Sequence, residues 1–94
     1  MRSDDVLNEQ FRPTKYRVGY DQREVDTFLD RVVDTLRQYE TGDVADAPLS
    51  TAHVEQVQFA PTRYRQGYDP QDVDQFLDRL AVAFQQYEAE HGAN

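Results

Sequence analysis

Residues 11–40 read FRPTKYRVGYDQREVDTFLDRVVDTLRQYE, and residues 59–88 read FAPTRYRQGYDPQDVDQFLDRLAVAFQQYE. The second stretch repeats the first at an offset of 48 residues without a gap, and 17 of the 30 aligned positions are identical. Self-similarity at a fixed period is typical of a duplicated supersecondary unit. We predict two copies of one small module at residues 1–41 and 51–90, joined by a linker at 42–50 and followed by a frayed tail at 91–94.

Both copies carry the same signals for the start of a long helix. A glycine supplies backbone freedom for a sharp turn, and the aspartate two residues later is a good N-cap with an acidic residue three positions beyond it. Tyr20 and Val25 flank the first cap at the spacing of a hydrophobic staple, and Pro70 suits the first turn of the second helix. The predicted turn and cap residues are Gly19, Asp21, Gly67 and Asp69.

After each cap, apolar residues recur at steps of three and four, which predicts a long helix with one wide apolar stripe. The stripe residues that we predict to form the core between the helices are Val25, Phe28, Leu29, Val32 and Leu36 in the first copy and Val73, Phe76, Leu77, Leu80 and Phe84 in the second.

A module of about 40 residues rarely buries enough apolar surface to fold alone, so the two stripes must meet. We predict an all-α fold of two repeats, each a short helical turn, a loop and one long amphipathic helix, with the long helices paired as a short coiled-coil-like pseudo-dimer. Parallel and antiparallel pairing are both allowed, since the roughly 18 residues between the helices can span about 60 Å when extended. Pairing between two chains is the third arrangement.

Basic residues concentrate in the two segments that precede the glycines. Tyrosine is interleaved with them, which favours contact with an anionic membrane or an acidic partner, at about 1 kcal/mol for each basic residue near an anionic surface. The alternative is that the arginines pair with aspartates and hold each loop on its own helix. The candidate contact residues are Lys15, Tyr16, Arg17, Arg63, Tyr64 and Arg65.

Composition argues against several classes of function. The chain has a formal net charge of −8 and no cysteine, which disfavours nucleic-acid binding and thiolate metal sites. It contains no P-loop and no GxSxG motif, so we expect no enzyme activity, no catalytic or metal site, no cofactor and no small-molecule substrate. No run approaches the roughly 18 apolar residues of a membrane span, and the first residues lack a signal-peptide pattern, so we expect a cytoplasmic location.

The helix-start motif, an aromatic–arginine loop followed by GYD and then VDxFL, resembles the signature of the N-terminal domain of DivIVA-family proteins. The matching residues are Arg17, Gly19, Tyr20, Asp21, Val25, Asp26, Phe28 and Leu29, and their counterparts Arg65, Gly67, Tyr68, Asp69, Val73, Asp74, Phe76 and Leu77. The resemblance implies a parallel helical dimer that contacts the membrane through an aromatic residue and an arginine, here Tyr16 with Arg17 and Tyr64 with Arg65.

The family scaffolds cell poles and division sites in Gram-positive bacteria, often actinobacteria. Two features of this sequence depart from the family pattern: Val18 and Gln66 add a residue before the glycine, and the long C-terminal coiled coil of family scaffolds is missing. A tandem copy is therefore expected to mimic the family dimer within one chain.

We accordingly expect a non-enzymatic interaction or scaffold module that acts as an adaptor or assembly regulator in cell division or polar growth. Its expected partners are copies of itself, other DivIVA-family proteins or division proteins, with an anionic membrane surface at the pole or septum as a further contact. The alternatives are a peripheral membrane-binding module that uses its aromatic–arginine loops, and a purely structural oligomerisation unit.

Overall fold

The computed structural model describes residues 1–42 and 47–91, so parts of the predicted linker and tail lie outside the described residues. Each copy contributes a short helix, two short strands and a long helix. The elements are α1 (Ser3–Leu7), β1 (Pro13–Thr14), β2 (Gly19–Asp21), α2 (Gln22–Thr41), α3 (Thr51–Gln56), β3 (Pro61–Thr62), β4 (Gly67–Tyr68) and α4 (Pro70–Glu90). The order of elements repeats from the first copy to the second, while the domain boundaries stay a prediction.

The predicted all-α class is wrong, because the strands form a four-stranded antiparallel sheet in the order β1-β4-β2-β3. The two central strands come from different copies and pair Tyr20 with Tyr68, which are equivalent positions of the repeat. Each copy's first strand then pairs with the second strand of the other copy, Pro13 with Tyr68 and Pro61 with Tyr20. The copies are therefore interlaced about an internal twofold relation.

The two glycines of the motif are required by the close approach of these strands. A Cβ atom on Gly19 would lie 2.9 Å from the carbonyl oxygen of Tyr68, and one on Gly67 would lie 2.8 Å from that of Tyr20. Neither glycine takes a positive φ, in contrast to Gly42 at the end of α2, whose φ is 84°. Glycine is therefore needed at these two positions because a side chain would not fit, and not for the backbone freedom that the sequence suggested.

Both long helices begin at the predicted aspartate caps. The Asp21 side chain accepts a hydrogen bond from the backbone N–H of Glu24, and Asp69 accepts one from that of Gln71. Pro70 occupies the first helical position, where its missing N–H costs nothing.

The predicted coiled-coil-like pairing of the long helices is also wrong. The closest backbone approaches join each long helix to the short helix of its own copy, and one copy to the other through the strands. Side chains from α1, α3 and the segment before α3 (Val6, Val54 and Leu49) complete the core between α2 and α4. The helices run in the same direction, since their starts meet in the sheet and the rings of Tyr39 and Tyr87 stack at 4.9 Å near their ends.

Most of the predicted core residues are buried. Leu29 and Leu77 are only half-buried and pack at its margin. The fully or nearly fully buried members of the predicted set are Val25, Phe28, Val32, Leu36, Val73, Phe76, Leu80 and Phe84.

The end of each long helix fixes the short helix of the same copy. Glu40 accepts hydrogen bonds from the backbone N–H and the hydroxyl of Ser3, at 2.6 and 2.9 Å. Glu88 accepts the equivalent pair from Thr51, at 3.0 and 2.6 Å. In each copy, a carboxylate near the end of the long helix therefore accepts from a backbone N–H at the start of the short helix, which has no partner within that helix. These hydrogen bonds position the start of the short helix against the end of the long one. No helix in the described residues is long and apolar enough to cross a membrane.

Candidate functional site

The two predicted contact loops lie at the same end of the molecule. Residues 15–18 connect β1 to β2, residues 63–66 connect β3 to β4, and the single sheet formed by these strands adjoins the starts of both long helices. The tyrosines at the centres of the loops are strongly exposed, Tyr16 at 73% and Tyr64 at 72%. Large exposed rings at equivalent positions make this end a candidate contact surface.

Each exposed ring lies beside a cation. The Nζ atom of Lys15 is 5.4 Å from the ring centre of Tyr16, and the Cζ atom of Arg63 is 6.0 Å from that of Tyr64. Such pairs contribute roughly 0.5–1 kcal/mol at exposed sites. Tyr64 has a φ of 69°, in the left-handed region that non-glycine residues adopt only at some cost.

The two motif arginines, Arg17 and Arg65, each bind a residue of the other copy. Arg17 donates to Asp69 at 2.8 Å, and Arg65 donates to Asp21 at 3.4 Å and to the hydroxyl of Thr62 at 3.0 Å. Each arginine therefore contacts the cap residue of the other copy's long helix, whereas the sequence suggested pairing with the helix of its own copy. Lys15 and Arg63 form no ion pair within the described residues.

A second arginine strengthens this end in the first copy only. Arg12 makes a bidentate ion pair with Asp72, with nitrogen–oxygen distances of 2.9 and 2.8 Å. This guanidinium holds the pKa of Asp72 at about 2, and the Arg17 side chain with nearby backbone N–H groups lowers the pKa of Asp69. The second copy has Ala60 where the first has Arg12.

Two open grooves lie along the long helices at positions related by the repeat. The first groove, of about 560 Å³, is lined by Val6, Leu7, Glu9, Gln10, Phe11, Asp26, Leu29, Asp30, Val33 and Tyr68. The second groove, of about 610 Å³, is lined by Val54, Glu55, Val57, Asp74, Leu77, Asp78, Ala81, Val82 and Gln85. Equivalent apolar side chains line both grooves beside the carboxylates, namely Val6, Leu29 and Val33 in the first and Val54, Leu77 and Ala81 in the second.

Carboxylates line both grooves, and one in each accepts a hydrogen bond from a tyrosine of the other copy. The hydroxyl of Tyr68 donates to Asp26 at 2.7 Å, and that of Tyr20 donates to Asp74 at 2.9 Å. Partial burial and the neighbouring Asp26 carboxylate raise the pKa of Tyr68 to about 12, so the hydroxyl keeps its proton. Within residues 1–42 and 47–91, the other oxygen of each carboxylate accepts no hydrogen bond.

The sequence alone does not predict the grooves, because Asp26 and Asp30 lie on the polar face of α2, where exposure to solvent is the simplest expectation. The wall of the first groove that faces α2 is formed by α1 and the residues after it. The hydrogen bonds between Ser3 and Glu40 hold α1 against α2. One sequence signal could have indicated this placement. Both copies carry a hydroxyl residue near their start and a glutamate 37 residues later, Ser3 with Glu40 and Thr51 with Glu88.

Among the residues that the structure describes, no group of three or more His, Cys, Asp or Glu side chains could hold a metal ion. His53 contacts Ser50 in the turn before α3, and the ring of His91 lies 5.3 Å from that of Tyr39.

No family model, curated protein or solved structure matches this chain. The resemblance to DivIVA-family proteins therefore rests on the residues of the two motifs alone.

Proposed function

We propose that this chain is a non-enzymatic adaptor of DivIVA type, which binds basic, apolar-bearing segments of partner proteins in its two grooves. The motif resemblance supports a role in cell division or polar growth. The observation that carries the adaptor proposal is that a groove lined by equivalent acidic and apolar side chains is built twice in one chain.

Charge selects the ligand of these grooves. The lining of the first groove includes Asp26 and Asp30, together with Glu9, which is already paired with Arg79, and it includes no basic residue. The lining of the second includes Asp74 and Asp78, again without a basic residue. Each exposed ion pair contributes only about 0–1 kcal/mol, so the carboxylates mainly decide which segments bind.

Apolar contact provides most of the affinity. Leu7 is 57% exposed in the first groove and Val82 is 53% exposed in the second. Covering a side chain of this size fully contributes about 1.5–3 kcal/mol. A segment that combines arginine or lysine with leucine matches both features, and two grooves allow bivalent capture of a partner that carries two such segments.

Fluorescence anisotropy of a labelled peptide with alternating arginine and leucine tests this proposal. The double variant Asp30→Asn/Asp78→Asn should weaken binding by about tenfold or more, because it removes one carboxylate from each groove and keeps the side-chain shape. Asp34→Asn/Glu90→Gln is the matched control, since these two exposed carboxylates lie on α2 and α4 outside the residues that line the grooves. Equal affinities of the double variant and the wild-type protein would refute groove binding.

A second function, contact with an anionic membrane, is favoured by the exposure of Tyr16 and Tyr64 at one end of the molecule. Lys15 and Arg63, which form no ion pair with the residues that the structure describes, lie beside these rings, while Arg17 and Arg65 hold the loops on the aspartate caps. We therefore assign the membrane contact to the lysine, the two tyrosines and Arg63.

Co-sedimentation with vesicles tests the membrane contact. The protein should pellet with phosphatidylglycerol-rich vesicles at low salt and less at physiological salt, because the Debye length falls to about 8 Å. The double variant Lys15→Gln/Arg63→Gln should lose pelleting, whereas Arg31→Gln/Arg37→Gln, an equal charge change on α2 away from the loops, should keep it. Absence of wild-type pelleting at low salt would retire the membrane function.

A further inference from the structure

A third cleft, of about 360 Å³, occurs on one side of the pseudo-dimer, between the first half of α2 and the segment before β3. Its lining residues are Arg23, Glu24, Thr27, Phe28, Arg31, Val57, Gln58 and Phe59. The repeat places Gln71, Asp72, Gln75, Phe76, Arg79, Glu9, Gln10 and Phe11 at the equivalent positions on the other side. The aromatic floors correspond, since Phe59 packs edge-on against Phe28 at 5.8 Å and Phe11 against Phe76 at 5.6 Å.

On the other side, the charged groups satisfy one another. Arg79 lies 3.5 Å from a carboxylate oxygen of Glu9, and its guanidinium lies 5.5 Å from the ring centre of Phe76. Arg12 holds Asp72 in the bidentate pair described above. Two ion pairs therefore close that side with residues of the chain itself.

In the cleft, both of these ion-pair partners are replaced by uncharged residues. Val57 occupies the position equivalent to Glu9, and Ala60 occupies the position equivalent to Arg12. Arg31 consequently makes no ion pair within the described part of the chain, and neither does Arg23, whose counterpart is Gln71. Glu24 is engaged by a hydrogen bond of 2.8 Å from the backbone N–H of Ala60.

We propose that this cleft binds an acidic segment of a partner protein. A carboxylate of that segment pairs with Arg31 in the way that Glu9 pairs with Arg79. An arginine offers its guanidinium as a planar fork that fits a carboxylate bidentately. Val57, Phe28 and Phe59 provide the apolar surface beside it, so the segment carries an apolar side chain next to its acidic one.

The spacing of the two arginines defines the segment more closely. Arg23 and Arg31 are eight residues apart on one helix, which corresponds to about 12 Å at 1.5 Å per residue. In an extended peptide, residues four positions apart lie on the same face about 13 Å from each other. The residue midway between them also lies on that face, where it meets Phe28. A Glu-x-Leu-x-Glu segment therefore satisfies both arginines and the aromatic floor.

This acidic ligand is opposite in charge to the segments assigned to the two grooves. Binding of the two peptide classes can thus be measured separately, and loss of one leaves the other intact. Each site is tested independently on the same full chain.

The test is fluorescence anisotropy with a labelled peptide that contains Glu-Ser-Leu-Ser-Glu between uncharged flanks, at low salt. The wild-type protein should bind it saturably and at least tenfold more tightly than the peptide with Gln-Ser-Leu-Ser-Gln. Arg31→Gln should weaken binding about tenfold. Val57→Glu should weaken it as well, because it gives Arg31 the internal carboxylate that Arg79 already has.

The matched control is Arg37→Gln, which removes the same charge from α2 outside the cleft and should leave the affinity unchanged. Circular dichroism of each variant should show the wild-type helix content. The proposal is overturned by wild-type affinity in both Arg31→Gln and Val57→Glu, or by equal binding of the glutamate and glutamine peptides.

Discussion

The two copies of the module share their backbone framework and differ on the surfaces that flank it. Identical residues form the central strand pair and the stacked rings at the far end, namely Tyr20 with Tyr68 and Tyr39 with Tyr87. Many of the differing residues change an ion pair or the charge of an exposed face, as where Val82 replaces Asp34. The repeated residues thus build the pseudo-dimer, and the unrepeated ones make its two sides chemically distinct.

The core shows the same division. Thr35 is buried in α2, where its hydroxyl donates to the carbonyl oxygen of Arg31 at 2.9 Å and accepts from the backbone N–H of Leu49 at 3.1 Å. Ala83 occupies the equivalent position in α4 and is also buried, and its methyl side chain has no hydrogen-bonding group. Thr35 in the first copy therefore fixes the segment that leads into the second copy, and Ala83 makes no equivalent contact.

The largest expected effect comes from truncating the core at equivalent positions. Phe84→Ala should lower the free energy of unfolding by about 3–5 kcal/mol, because the side chain is fully buried and leaves a cavity. Leu36→Ala should cost less, since it removes a smaller side chain from the same layer. Urea denaturation measures both, and a loss below about 1 kcal/mol for Phe84→Ala would contradict the shared core.

A smaller effect is expected at Thr35. Thr35→Ala leaves the buried N–H of Leu49 without its partner, which should cost about 1–3 kcal/mol. Thr35→Ser retains the hydroxyl and should lose less. Urea denaturation of the three proteins checks this order, and equal stability of the alanine and serine variants would show that the hydroxyl does not hold the linker.

The ion pair at the sheet end predicts a pH-dependent difference between the copies. The pKa of Asp72 is about 2, below the unfolded value of about 3.9, so its stabilisation is complete above about pH 4 and is lost as pH falls towards 2. Arg12→Ala should therefore lower Tm at pH 6 and have a progressively smaller effect below pH 4.

The reciprocal variant Ala60→Arg gives Glu24 the partner that the second copy lacks, and it should raise Tm at pH 6. Thermal unfolding between pH 2 and 6 compares the three proteins. A difference between wild type and Arg12→Ala that stays constant across this range would contradict the assigned role of the pair.

The smallest expected effects concern the loop arginines. Arg17→Gln should lower Tm more than Arg65→Gln, because Arg17 lies 2.8 Å from a buried aspartate whereas Arg65 lies 3.4 Å from a more exposed one. Both differences should shrink at high salt. Thermal unfolding at low and high salt gives the ranking, and the reverse order would place the stronger contact in the other loop.

Features that depend on neighbouring residues could be predicted from the sequence. The caps at Asp21 and Asp69 and the apolar stripes follow from local spacing, and the helices begin where those signals lie. The strands could not be predicted in this way, because each has only two or three residues and its partner belongs to the other copy. For the same reason, the residues that bind Arg17 and Arg65 appear only when both copies are placed together.

Nuclear Overhauser effects in the intact chain report whether each copy's first strand lies in the other copy's half of the sheet. The structure predicts cross-peaks between the ring protons of Phe11 and Phe76 and between the backbone protons of Tyr20 and Tyr68. A sample that mixes labelled and unlabelled chains separates contacts within a chain from those between chains. Cross-peaks that connect Phe11 with Phe28 of its own copy, and none with Phe76, would contradict the interlaced fold.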